Sequence, residues 1–146
     1  MQGIVIGGSK NIFSVECDDN VTRQCTIKGK KLKTEDRFYN PLAAGDFVNI
    51  EPDEKNNELG QIISLEPRKN AFVRWNVKGR APQLLAANVD RIFCVTTPDE
   101  PPFRPRFVDR MLIQADAANI EPVILCNKCD LPIDSDVDFR LAEWER

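Results

Sequence analysis

A chain of 146 residues, 42% hydrophobic and 29% charged, has the make-up of an ordinary folded protein and excludes a disordered tail. No apolar run nears the roughly 18 residues of a membrane span, and Met1-Gln2-Gly3-Ile4-Val5 lacks the charged start and apolar stretch of a secretory signal, so a cytoplasmic location without a membrane partner is expected. The absence of histidine excludes imidazole catalysis, and the net charge of −3 means that any nucleic-acid contact has to come from local patches.

The charge is unevenly spread. Residues 1–88 carry 13 basic against 11 acidic side chains, and residues 89–146 carry 7 against 12. Five cysteines, Cys17, Cys25, Cys94, Cys126 and Cys129, are an odd number at irregular spacing, which suits reduced thiols and not a disulfide framework.

From Gln2 to about Leu65 the chain reads as short strands rich in Val and Ile, broken by Gly, Asn and Asp. Gly3 to Ile6 is the first strand. Phe13, Val15 and Cys17 alternate with polar residues, Asp18-Asp19-Asn20 turns, and Val21, Cys25 and Ile27 resume the alternation, which predicts a hairpin. Phe47 to Ile50 and Gln61 to Leu65 add two strands across the polar loop 52–58. Five short strands in about 65 residues predict an OB-like barrel, with an SH3-like barrel as the rival.

Between the third and fourth strands lies a basic run, Lys28, Lys30, Lys31, Lys33 and Arg37, followed by Phe38 and Tyr39. Such a run is either a solvated loop or a grip on a phosphate backbone, and on an OB-type barrel RNA becomes the expected ligand. Phe38 is expected to plug the barrel. Arg68, Lys69 and Arg74 form a second, fallback basic set.

Residues 67–88, interrupted by Pro67, Gly79 and Pro82, read as a connector. Val89 to Thr96 then reads as a strand whose apolar run, Ile92 to Val95, predicts burial on both faces, the habit of parallel sheets. Phe107, Val108, Met111, Leu112, Ala115 and Ala118 recur at helical spacing over 106–119, Asn119 is the stop, and Pro122 to Cys126 is the next strand. Strand, helix, strand predicts a right-handed βαβ unit.

Asn127-Lys128-Cys129-Asp130 follows that second strand, where open α/β sheets bind ligands. The Asp130 carboxylate suits the ring N–H and exocyclic amine of guanine, the Asn127 amide suits the base edge, and the stem of Lys128 suits the base plane. An ordinary polar turn is the bland alternative. Cys126-x-x-Cys129 overlaps the turn and also admits a redox pair or half of a zinc site, but no second Cys or His pair completes a zinc site, and the position after a strand, not at a helix start, argues against a thioredoxin-like thiol.

The small N-terminal barrel, Ala86-Ala87-Asn88-Val89-Asp90, Val108-Asp109-Arg110 and Glu121-Pro122-Val123-Ile124-Leu125-Cys126-Asn127-Lys128-Cys129-Asp130-Leu131 together resemble the circularly permuted, small-ribosomal-subunit-dependent GTPases, the RsgA or YjeQ family. The resemblance implies a β plus α/β chain: an OB-like RNA-binding barrel over 1–66, a connector over 67–88, and the first βαβ unit of a permuted P-loop GTPase domain over 89–146. It implies GTP or GDP as ligand, guanine contacts from Asn127, Lys128 and Asp130, and the small ribosomal subunit with its rRNA as partner. In that family the Asn-Lys-x-Asp motif precedes the P-loop. No Gly-x-x-x-x-Gly-Lys-Ser/Thr occurs anywhere in this chain, so it is expected to be an N-terminal portion without catalytic residues of its own. Magnesium and zinc are implied only for the part of the parent beyond it. The alternative is a stand-alone OB-type RNA-binding module with no catalytic activity.

Overall fold

Alternation of apolar and polar residues is what a strand with one buried face requires, and it decides the first half of the molecule. The structure, a computed structural model, describes residues 1–9, 11–29, 32 and 38–145. The chain divides into two units, Met1–Val89 and Asp90–Arg146.

In the first unit β1 (Gln2–Ser9), β2 (Ile12–Cys17), β3 (Thr22–Ile27), β4 (Phe47–Pro52) and β5 (Leu59–Leu65) close into a barrel in the order β1-β2-β3-β5-β4. β4 returns to β1 antiparallel, while β3 and β5 run parallel, the closure of an OB-like barrel and not of the SH3-like rival. Inward residues of each strand, among them Val5, Phe13, Val15, Cys25, Val48 and Ile62, form one core. The predicted hairpin forms in register, with Phe13 opposite Cys25 and Val15 opposite Arg23. Arg23 is buried, and its guanidinium donates to both oxygens of Asp19 at 2.8 and 2.7 Å, so the turn carboxylate satisfies a charge that the barrel wall covers.

The stretch expected as a connector over 67–88 contains a hairpin, β6 (Ala71–Asn76) with β7 (Ala81–Ala87). Its prolines and glycine sit at ends and turn: Pro67 precedes β6, Gly79 lies in the turn, and Pro82 enters β7. Three asparagines stitch it in place. The Asn40 side chain donates to Leu84 O and accepts from Leu84 N, Asn70 exchanges two hydrogen bonds with the Val89 backbone, and Asn88 Nδ2 donates to Gly45 O. Gly45 has φ +91°, and a Cβ there would lie 2.0 Å from Ala87 O, so only glycine permits this approach.

In the second unit β8 (Arg91–Thr96), α1 (Pro105–Ala117) and β9 (Glu121–Cys126) form the expected βαβ unit, with β8 and β9 parallel and in register from Arg91 opposite Glu121 to Thr96 opposite Cys126. Pro105 opens α1, where its missing N–H costs nothing, and Asn119 at φ +53° ends it, its N–H bonded to Asp116 O. Val108 and Ala115 are its buried residues, packing on the strands. The expectation that β8 is buried on both faces is corrected: Cys94 and Thr96 are buried, but Phe93 and Val95 are each 58% exposed. Alternation sends these pairs to opposite faces, and no described residue covers the second.

A second helix, α2 (Ser135–Trp144), was not anticipated. Its signal was present in Asp134, whose side chain accepts from the N–H groups of Asp136 and Val137 at 3.0 and 2.9 Å, and in acidic Asp136 and Asp138 in the first turn. Trp144 Nε1 donates to Asp109 Oδ1 at 2.9 Å and so ties α2 to α1.

Candidate functional site

A parallel strand delivers its carboxyl end, and whatever follows, to one rim of the sheet. β9 does this for Asn127, Lys128, Cys129 and Asp130, all of them exposed. Asn127 N donates to Thr96 O at 2.9 Å, which pins the loop to the end of neighbouring β8. The Asn127 Oδ1 accepts from Lys128 N at 2.8 Å, and Lys128 takes φ +59°, so the chain turns sharply and closes with Leu131 N donating to Lys128 O at 3.0 Å.

The turn commits some groups and leaves others available. The Lys128 ammonium donates to the carbonyl of Glu100 in the loop after β8, which ties together the two loops at this rim. The amide Nδ2 of Asn127 remains a donor, and among the described residues the Asp130 carboxylate has no hydrogen-bond or ion-pair partner. Both of its oxygens can accept. A planar ligand presenting two parallel N–H donors is the chemical complement of that carboxylate.

Beside the same rim, the end of β8 and the start of α1 enclose a cleft of about 920 Å³ lined by Thr96, Thr97, Arg104, Arg106, Phe107 and Arg110. The three arginines have no carboxylate partner among the described residues. The negative net charge of this unit hides them in the sequence, although their spacing at the mouth of a predicted helix is visible in Arg104-Pro105-Arg106 and Arg110. They give this end of the sheet a positive lip in a unit that is acidic overall.

The expected RNA-contacting residues fare differently. Lys28 is exposed and forms an ion pair with Glu51 across the barrel wall. Lys30, Lys31, Lys33 and Arg37 lie outside the described residues. The fallback set loses a member: the Arg68 side chain is 7% exposed and its guanidinium is clamped on fully buried Asp46, Nε to Oδ1 at 2.7 Å and Nη2 to Oδ2 at 2.9 Å, with Pro41 O also accepting. Phe38 is half-buried with the Arg68 guanidinium 5.5 Å above its ring, so it caps the ion pair and does not plug the barrel, while Tyr39 is 58% exposed and lies against the Gly79 turn.

All five cysteines are free thiols. Burial pushes the Cys25 thiol up to about 11 and raises Cys94 as well, as befits small core residues. Among the described residues no three His, Cys, Asp or Glu side chains gather where they could share a metal ion, and no helix is long and apolar enough to cross a membrane.

The sequence and the fold are similar to those of known proteins. The family model described as RsgA GTPase matches residues 65–146. Proteins named small ribosomal subunit biogenesis GTPase RsgA are similar over nearly the whole chain: that of Borrelia recurrentis is 38% identical over 142 residues, 97% of this chain and 45% of the relative. That of Flavobacterium johnsoniae is 32% identical over 143 residues, 97% of this chain and 44% of the relative. The chain thus spans less than half the length of these curated relatives. In fold it is similar to the crystal structure of YloQ, a circularly permuted GTPase, with a TM-score of 0.64 at 23% identity over 98% of this chain and 46% of that one. Since the family model takes in the strands β6 to β9, both helices and the loop at Asn127–Asp130, more than half of the sequence, the chain belongs to the RsgA GTPase family.

Proposed function

We propose that this chain supplies guanine recognition and RNA docking to a cytoplasmic GTPase that acts in maturation of the small ribosomal subunit. The observation that carries the proposal is the Asp130 carboxylate, held without a partner among the described residues on a loop that follows β9 and is pinned to β8. Guanine offers that carboxylate two donors, its ring N–H and exocyclic amine, and hydrogen bonds to a charged group contribute about 1.5–3 kcal/mol each. Adenine offers an acceptor in place of the ring N–H and has no such amine, so it leaves the carboxylate desolvated and unpaired. Asn127 addresses the base edge, and Lys128 covers the base plane once its ammonium leaves the Glu100 carbonyl.

The barrel of residues 1–66 contributes the RNA contact. Lys28, Lys30, Lys31, Lys33 and Arg37 carry it, with Lys28 sharing its charge with Glu51. Charge reversal at Lys30, Lys31 and Lys33 should lower affinity for small-subunit rRNA and flatten its salt dependence, and reversal at Lys28 should do less of both.

Nucleotide titration tests the guanine reading. Asp130→Asn exchanges an acceptor oxygen for a donor amide, which suits xanthine, whose carbonyl replaces the amine. The substitution should weaken guanosine nucleotide binding by about 2 kcal/mol or more and improve relative affinity for the xanthosine analogue. Unchanged guanosine affinity in a folded variant would reduce Asp130 to a turn residue and end the reading. The 146 residues by themselves should show no GTP hydrolysis above background, since they contain no phosphate-gripping loop. Measurable turnover would contradict that assignment.

A further inference from the structure

The two cysteines that frame the base-reading loop have no part in the reading above. Cys126 is the last residue of β9 and Cys129 lies within the turn, so that Asn127 and Lys128 stand between them and Asp130 follows at once. The Cys129 thiol lies 3.3 Å from the Cys126 carbonyl oxygen, to which it donates, and the Cys126 thiol faces the Asn127 carbonyl oxygen at 4.0 Å, so both thiols sit on the same turn. Cys129 is exposed and Cys126 half-buried, whereas Cys17, Cys25 and Cys94 are buried. A pair of adjacent thiols with one of them open to solvent is the arrangement that thiol–disulfide exchange requires.

We propose that Cys126 and Cys129 form a reversible disulfide by exchange with a small-molecule disulfide, oxidised glutathione being the probe, and that closing it disables the loop for guanine binding. The second half rests on the guanine reading given above. The exposed Cys129 reacts first: as thiolate it attacks one glutathione sulfur, the glutathione disulfide bond breaks, and one glutathione thiolate leaves. Cys126 then gives its proton to solvent and attacks the Cys129 sulfur of the mixed disulfide, releasing the second glutathione thiolate. The protein loses two hydrogens and two glutathione molecules are reduced. Partial burial, and secondarily the neighbouring Cys129 thiol, hold the Cys126 thiol above its ordinary value, which agrees with its place as the second and not the first nucleophile.

The consequence for the loop follows from geometry. A disulfide is only about 2.05 Å long, far shorter than any contact between two free thiols. Closing it draws Cys129 toward Cys126 and re-aims its neighbour Asp130, in a turn where Lys128 already occupies the left-handed region. Neither acceptor oxygen then keeps the direction that two parallel donors need.

The test equilibrates the chain in glutathione buffers of graded ratio, traps free thiols by alkylation and maps peptides by mass spectrometry. The expected product is lighter by two hydrogens, with Cys126 linked to Cys129 and the three buried cysteines still alkylated after unfolding. GDP affinity should fall at least about tenfold on oxidation and return with dithiothreitol. Phenylarsine oxide, which bridges neighbouring thiols, should bind the reduced chain one to one and fail to bind Cys129→Ser. Separate glutathione adducts on Cys126 and Cys129 with no linkage would overturn the proposal, as would a linked chain that binds GDP as tightly as the reduced one. With the GDP titrations made on the full-length protein, a chain that forms the disulfide but binds no GDP in either state would overturn the guanine reading and leave the thiol pair established as a modification site.

Discussion

The barrel and the βαβ unit bury their sheets by different means. Five strands that return on themselves pair their own edges and enclose Val5, Val15, Val48, Ile50 and Ile62 without help from any other element. Two parallel strands cannot do this: α1 covers Cys94 on one side, while Phe93, Val95 and Leu125 stand exposed. The difference teaches that apolar sequence signals a need for cover but not its source. It also places the loop at Asn127–Asp130 on the less buried of the two scaffolds, where openings cost less free energy. Trp75 in β6 and Trp144 in α2 set one fluorescent reporter in each unit, so single-tryptophan variants can follow the two unfolding transitions separately.

The largest expected effect belongs to the barrel unit. Asp46→Ala strips the fully buried carboxylate from the Arg68 guanidinium, the kind of change that costs about 3–5 kcal/mol in comparable buried pairs. It also removes the acceptor of the Ala43 N–H. Urea unfolding should show the Trp75 transition moving to lower concentration while the Trp144 transition stays put. Equal movement of both would show that the units do not unfold independently, and the comparison would break.

Next in size is Val108→Ala in α1, which removes two methyl groups from a fully buried site and should cost about 2 kcal/mol, transfer and cavity together. Here the Trp144 transition should move alone. No shift would mean that α1 is not what holds this sheet face.

How far the sequence foretold these arrangements depends on what each signal encodes. Phe13, Val15 and Cys17 reported strand and buried face together, because period-two alternation is a direct record of one-sided burial. The β6–β7 hairpin was missed because Arg68, Pro67, Gly79 and Pro82 look like interruptions, and nothing local announces that Asp46, 22 residues earlier, will take Arg68 into the interior. In Ile92 to Val95 the continuous apolar run was read correctly as a strand, but a run of that kind does not say which face this chain itself covers. The position of the loop at Asn127–Asp130 is legible in the sequence, since a polar tetrad after an apolar strand lies at its carboxyl end. That the Lys128 ammonium is held by the Glu100 carbonyl is not, because backbone acceptors leave no mark in sequence. The arginine lip at Arg104, Arg106 and Arg110 was overlooked because net charge for the unit is negative.

A smaller effect sharpens the contrast through pH. The hydrogen-bonded guanidinium of Arg23 lowers the Asp19 carboxyl from its ordinary 3.8 to about 2. A carboxyl depressed in the folded state stabilises it fully above the ordinary value, and this contribution is lost as pH falls from about 4 toward 2. Asp19 is 35% exposed, so solvent screens much of the effect. The Trp75 transition should therefore weaken across that window in the parent and less steeply in Asp19→Asn. Identical acid profiles for the two proteins would remove Asp19 from the account of barrel stability.

The smallest effect is the most diagnostic, because it asks whether the exposed face of β8 is bare in solution. Phe93→Thr replaces a large apolar ring, 58% exposed, by a β-branched residue that suits a strand equally well. If solvent is what Phe93 meets, little burial is lost, and the Trp144 transition should shift by no more than about 0.5 kcal/mol, the usual range for surface substitutions. Removing an aromatic from a contiguous patch with Val95 and Leu125 should meanwhile raise the concentration at which the chain stays monodisperse. The neighbouring position gives the internal contrast, since Cys94 on the same strand is buried and an added charge there should unfold the unit. A shift above about 1 kcal/mol for Phe93→Thr would mean that this face is covered in solution, and the distinction between a self-closing barrel and a half-covered sheet would fail.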